Sequence, residues 1–227
     1  MILITGASRG IGKFLFDKFT EDGEKVYGTY YSENPELEMN EKFIQLDVTD
    51  FSKTEELIGK LRSGISKFVL INCAGNNYNS FAHKSSADEW KKVILTNLTG
   101  TYHMIRSSLP VMREQNYGRI VNFASVVAET GIPGTSAYAA SKSGLWGMTR
   151  SIAVENASKG ITINNLNLGY FDIGMINEVS EEYQQIVKKK IPSGKFGDPV
   201  NIYKAVRFLI ESDYLTGTSI DINGGIF

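Results

Sequence analysis

The sequence predicts an α/β fold: one domain holding a doubly wound parallel sheet of about seven strands, with helices on both faces. Three observations carry that expectation. Seven short apolar runs alternate with segments of helical character. A glycine-rich turn follows the first run directly, where a strand would hand over to a helix. The 227 residues, 42% hydrophobic and 22% charged, suit a single unit spanning residues 1–227 with a substantial core.

The elements follow in order. ILIT (2–5) is an apolar strand, and GKFLFDKFTEDG (12–23) sets Phe14, Leu15, Phe16 and Phe19 at helical spacing. KVYGTYY (25–31) and KFIQLDV (42–48) are the next strands. A polar helix occupies 51–63, and the strand-and-turn KFVLINCAG covers 67–75. Helical character then runs from 86 to 114, ahead of the strand RIVNFAS (119–125) and a long helix over 137–158. ITINNLN (161–167) is a strand, 169–198 an irregular stretch, 199–211 a helix, and SIDIN (219–223) the last strand. The KKK run at 188–190 reads as a solvated helix face.

The turn TGASRGIG (5–12) has chemistry of its own. Gly6 permits a tight bend, and Gly10 and Gly12 place no side chain between a pyrophosphate and the backbone N–H groups of the incipient helix. The spacing is Gly-x-x-x-Gly-x-Gly, distinct from the common dinucleotide fingerprint, so position after the opening strand carries the nucleotide reading. With it the fold expectation becomes a Rossmann-type sheet. At the end of the second strand an acid selects NAD, whereas hydroxyl or basic neighbours admit the 2′-phosphate of NADP. Tyr31 and Ser32 precede the first acid, Glu33, and Arg9 within the glycine turn can grip a phosphate with its guanidinium. NADP is favoured over NAD.

In SAYAASKSG (136–144), Tyr138 and Lys142 stand one helical turn apart on one face. Alone, such a pair is common on solvated helices. A nearby ammonium would lower the phenol pKa from its ordinary value near ~10 and make the pair one acid unit.

Composition excludes several functions. Lys plus Arg number 24 against 25 for Asp plus Glu, so the net charge of -1 offers no field for nucleic acid or an anionic membrane. The single Cys73 rules out an internal disulfide and a multi-cysteine zinc site, and His83 and His103 form no ligand pair, so no metal is expected. Neither a signal peptide nor a membrane span is legible, and cytoplasmic residence is the expectation.

Taken together, TGASRGIG, NCAG, TNLTG, NFAS and YAASK resemble the short-chain dehydrogenase/reductase superfamily. The tail GKFGDPVNIYKAVRFLIESDYLTGTSIDINGG resembles its 3-oxoacyl carrier-protein reductase branch. By that resemblance Tyr138 is the general acid, Lys142 its partner, Ser125 the hydroxyl on the substrate carbonyl, and Asn97 the anchor of a proton-relay water. It also implies cofactor contacts from Ser8 and Ile11 in the glycine turn, Asp47 and Val48 at the adenine, Asn72, Ala74 and Gly75 at the adenosine ribose, and Gly169 and Ile173 after the sixth strand. Each residue has a plainer reading: Ser125 as a turn cap, Asn97 as a helix amide, Tyr138 as a packed aromatic.

The sequence departs from the family in places. Cys73 replaces a common Asn, Leu168 a proline, and Ile173 a threonine that binds the nicotinamide carboxamide, leaving the Ile173 N–H for that contact. Residues 172–195 are expected to form the substrate lid. The overall expectation is an NADPH-dependent reductase of a ketone, with a 3-oxoacyl thioester first among substrates. An acyl carrier protein would dock at Lys159, Arg113 being the other nearby base. A sugar, polyol or secondary-metabolite dehydrogenase and a non-enzymatic dinucleotide sensor are the alternatives. The family also implies a tetramer or dimer, through the two long helices and the last strand.

Overall fold

The computed structural model describes residues 1–226, apart from the side chains of Met175 and Glu178; Phe227, at the end of the expected domain, lies outside the described residues. The chain runs β1 (Ile2–Thr5), α1 (Gly10–Glu21), β2 (Val26–Tyr30), α2 (Pro35–Glu38), β3 (Phe43–Gln45), α3 (Phe51–Leu61) and β4 (Val69–Asn72). It continues through α4 (Ala87–Ile94), α5 (Thr101–Gln115), β5 (Gly118–Ser125), α6 (Val127–Thr130), α7 (Ser136–Asn156), β6 (Ile161–Leu168), α8 (Glu181–Lys190), α9 (Val200–Glu211) and β7 (Ser219–Ile222). The strands form a 7-stranded sheet in the order β3-β2-β1-β4-β5-β6-β7. Every pairing is parallel. The expected fold class is therefore observed.

Why the strands read as continuous apolar runs is now plain. In β1, Ile2 and Ile4 face one layer of helices and Leu3 faces the other, so all three are buried. The first layer packs Leu15, Phe16 and Phe19 of α1 with Ile202, Val206 and Leu209 of α9. The second packs Leu57 and Ile58 of α3, Met104 and Met112 of α5, and Ile152 of α7. The chain winds outward from β1 to β3, then returns to β4 on the other side of β1. That reversal opens a crevice at the C-terminal ends of β1 and β4.

Two elements differ from expectation. The helical stretch 86–114 is α4 and α5 joined by a six-residue π-helical segment, Leu95–Gly100, which widens the local hydrogen-bond ladder near the crevice. Close packing bears on this segment: a Cβ on Gly100 would lie 2.6 Å from Val48 Cγ2. Within the supposedly irregular 169–198, Glu181–Lys190 forms the 10-residue α8, capped by Ser180 Oγ accepting from the Tyr183 N–H. Among its described residues only Val187 is buried, so the helix carries no apolar stripe that sequence spacing could reveal.

Candidate active site

The glycine turn between β1 and α1 is built from main chain. Gly6 has φ +65, and a Cβ there would sit 2.8 Å from Ala74 Cα, so the β1 turn lies directly on the turn after β4. Thr5 Oγ1 fastens the two, accepting from the N–H groups of Cys73 and Ala74, both at 3.1 Å. A Cβ on Gly12 would stand 2.2 Å from the Gly6 carbonyl oxygen, which holds the start of α1 against the turn. α1 has no side-chain cap, and its first-turn N–H groups with their positive dipole end form a cradle for a phosphate. Ser8, Arg9, Gly10 and Ile11 line this turn. These residues fit a dinucleotide pyrophosphate.

The other expected cofactor residues gather along the same sheet edge. Tyr31 is 70% exposed beyond β2, with Ser32 exposed beside it, whereas Tyr30 is buried in the core. Asp47 Oδ1 accepts from the Thr49 N–H (2.9 Å) and hydroxyl (2.8 Å), shaping the turn after β3. Val48 is buried, with its carbonyl against His103 Nδ1 at 3.0 Å. Gly75 touches the catalytic side, since a Cβ there would lie 3.2 Å from Asn97 Oδ1. Gly169 follows β6, its N–H donating to the Ile222 carbonyl at 2.9 Å.

Two of the expected cofactor residues are engaged within the protein. The Asn72 side chain turns into the sheet, where its Nδ2 donates to Asn122 Oδ1 at 2.8 Å, so it does not reach into the crevice. The Ile173 N–H donates to the Phe171 carbonyl at 2.7 Å, closing a tight turn.

Four expected catalytic residues converge from three elements. Ser125 ends β5, with its Oγ accepting from the Val127 N–H at 3.2 Å, and lies near enough to the Tyr138 hydroxyl to pull that group's pKa down. Lys142 lies one turn along α7, 7% exposed, its Nζ donating to the Phe123 carbonyl at 2.6 Å and standing 5.5 Å from the Tyr138 ring centroid. Asn97 is fully buried: its Oδ1 accepts from the Asn76 N–H (2.9 Å), and its Nδ2 donates to the Asn76 carbonyl (2.9 Å) and Ser141 Oγ (3.1 Å). That amide is a clamp, which leaves only the buried main-chain carbonyl, already accepting from Thr101 Oγ1 at 2.8 Å, to hold a water.

The electrostatics differ from the expectation that Lys142 acidifies Tyr138. Although part of the ring is open, crowding around the hydroxyl pushes the Tyr138 pKa up to about 12; the Ser125 hydroxyl opposes this rise. Burial likewise pushes Lys142 down to about 8. The neutral phenol is thus a firm proton holder, and the lysine keeps its charge at neutral pH by a narrow margin. Burial pushes the Cys73 thiol well up, which fits an inert packed residue rather than a nucleophile.

Sequence reasoning overlooked Ser141 and Tyr170. Ser141 Oγ donates to the Tyr138 carbonyl at 2.7 Å and accepts from Asn97, linking the α4–α5 junction to the turn that bears Tyr138. Its signal was a hydroxyl three residues after the tyrosine. Tyr170 stands two residues beyond Leu168, the β6 partner of Ser125, and the charge its phenol would carry is felt at Tyr138.

Known proteins resemble this chain in sequence and fold. A family model described as short chain dehydrogenase matches residues 1–184. The chain is 34% identical over 234 residues to the 3-oxoacyl-acyl-carrier-protein reductase FabG of Haemophilus influenzae, covering 99% of this chain and 97% of that one. It is 34% identical to the FabG of Escherichia coli K12, with 99% and 96% covered. A putative gluconate dehydrogenase from Agrobacterium tumefaciens superposes with a TM-score of 0.90 at 27% identity, covering 100% of this chain and 95% of that one. The class is an NAD(P)-dependent oxidoreductase. The chain belongs to the short-chain dehydrogenase/reductase family.

Proposed function

We propose that the protein is an NADPH-dependent reductase that converts a ketone to a secondary alcohol, with a 3-oxoacyl thioester as its substrate. The observation that carries this reading is the convergence of Ser125, Tyr138 and Lys142 at the sheet edge that also holds the glycine cradle. When bound, the dinucleotide supplies hydride to the carbonyl carbon. Ser125 and Tyr138 then hydrogen-bond the carbonyl oxygen, where negative charge develops, and Tyr138 gives up its proton to make the alcohol. The Lys142 charge stabilises the phenolate left behind. Asn97, through its carbonyl, holds the water from which that proton is replaced.

NADPH over NADH rests on Arg9 in the glycine turn and on Tyr31 and Ser32 at the end of β2. The thioester carrier in this reading is an acyl carrier protein docking at Lys159. Arg113 adds little, because its guanidinium already donates to Asn156 Oδ1 at 2.7 Å. No helix among the described residues is long and apolar enough to cross a membrane, and cytoplasmic residence fits the reading. Assembly into a homo-oligomer fits Tyr102 (45% exposed) on α5 and Val154 (84%) on α7, which are apolar groups facing outward from the two long helices.

A second reading, oxidation of a sugar acid or polyol, is favoured by the likeness to the putative gluconate dehydrogenase. Loss of NADPH absorbance against a panel containing acetoacetyl thioesters, simple ketones and keto-sugar acids separates the two. Turnover of the thioesters supports the first reading. Turnover confined to keto-sugar acids supports the second, and tight cofactor binding without turnover of any ketone supports a dinucleotide sensor.

A further inference from the structure

Four neighbouring strands, β4 to β7, carry a row of polar residues in register: Asn72 of β4 opposite Asn122 of β5, Asn122 opposite Asn165 of β6, and Asn165 opposite Ser219 of β7. The row lies on the face covered by α7. Asn122 and Asn165 are fully buried, as is Thr149, the α7 residue above them. Thr149 Oγ1 donates to Asn165 Oδ1 at 2.8 Å and accepts from Asn122 Nδ2 at 3.1 Å, while Asn165 Nδ2 donates onward to Ser219 Oγ at 3.0 Å. The hydroxyl is used in both senses. Valine, of nearly the same shape, cannot replace it.

We propose that the Thr149–Asn122–Asn165 junction is a positioning device, holding α7 in the axial register at which Tyr138 meets Ser125. Apolar packing of a helix on a sheet is non-directional and tolerates small slides, whereas buried hydrogen bonds do not. Thr149 lies two turns beyond Lys142 on the sheet-facing stripe that also holds Leu145. The strand it grips is the catalytic one: Asn122 precedes Phe123, whose carbonyl takes Lys142, and Ser125 ends the same strand. α7 is thus bonded to β5 at two points, Lys142 to Phe123 and Thr149 to Asn122, which fixes both slide and rotation. Thr149, Asn122 and Asn165 touch no substrate and act only through Tyr138.

The kinetic part of the test rests on the ketone-reductase reading above. Thr149→Val is compared with Thr149→Ser, which restores the hydroxyl, and with Ile152→Val, an apolar trim on the same stripe. Thr149→Val is expected to lower kcat at least about tenfold, with the cofactor Kd unchanged, and Thr149→Ser to recover to within about twofold. Ile152→Val, compared at matched loss of Tm, should leave kcat near the parent value. In cofactor-free protein, amide exchange at residues 138–142 should quicken in Thr149→Val and stay unchanged in Ile152→Val. If Thr149→Val does not fold, Thr149→Ala, which leaves space instead of a methyl group, serves in its place. Full kcat with unchanged exchange in the hydroxyl-less variant overturns the proposal, as does an equal fall in Ile152→Val. If the parent reduces no ketone, the function reading fails, while the exchange measurement still decides the device.

Discussion

The two ends of the crevice are made of different material. At the β1–α1 turn the surface is main chain, and the residue types matter for what they lack: Gly12 leaves only 2.2 Å between an added Cβ and the Gly6 oxygen. At the β5–α7 edge the surface is side chain, and the residue types matter for the protons they hold, at about 12 for Tyr138 and about 8 for Lys142. The difference teaches that substitutions at the glycines of the first end act by shape and those at the second end by charge. A change that keeps shape should be silent at one end and severe at the other.

The largest expected effect follows from that rule. Tyr138→Phe keeps the ring and removes one oxygen, so kcat should fall about 10³-fold while Tm and nucleotide affinity stay at parental values. Steady-state kinetics and calorimetric titration check it. Loss of nucleotide binding in step with activity would break the comparison.

Lys142→Met sharpens it through stability. The folded-state pKa of Lys142 lies near 8, below its ordinary 10.5. Between those values the unfolded chain holds a proton that the native state has released, so this group makes the protein more stable as pH rises from 8 to 10.5. Below pH 8 the full penalty of charging it stands, about 3 kcal/mol. Methionine removes that penalty but forfeits the charge-assisted bond to Phe123, worth about 1.5–3 kcal/mol. The variant should therefore be inactive yet no less stable than the parent at pH 7, with any advantage fading toward pH 10. Denaturant unfolding at several pH values reads this directly. A variant less stable at pH 7 would show that the lysine is not held against its solvation preference.

Smaller effects belong to the main-chain end. Gly12→Ala should cost about 1–3 kcal/mol of stability and weaken nucleotide binding, yet leave kcat at saturating nucleotide close to parental, because the acid residues are untouched. Smallest is Arg9→Ala, expected to weaken NADPH about tenfold relative to NADH, the effect of one charge-assisted phosphate contact. An unchanged ratio of the two affinities would move the preference away from Arg9 toward Ser32 and Tyr31.

What was legible in the sequence was local. The glycine turn and the Tyr138–Lys142 pair each lie within eight residues, so helix geometry and glycine stereochemistry suffice to read them. The Phe123 carbonyl that takes Lys142 was not legible, because it belongs to a strand 19 positions away and has no side-chain signature. The inward turn of Asn72 depended on which strand lay beside β4, and the Ile173 N–H was claimed by a carbonyl two residues back in a turn that no residue type announces. Of α8 only the solvated face at KKK (188–190) was legible, because a helix held by one buried valine leaves no apolar period.

By itself the sequence determined the alternation of buried strands and amphipathic helices, the glycine cradle, and the chemical identity of the acid group, since each is written in residue type and short spacing. Only the tertiary structure decided the protonation of that group. A pKa depends on what is crowded around a hydroxyl or an ammonium. Here the crowding comes from segments far apart in the chain, which meet only when β5, β6 and α7 pack together.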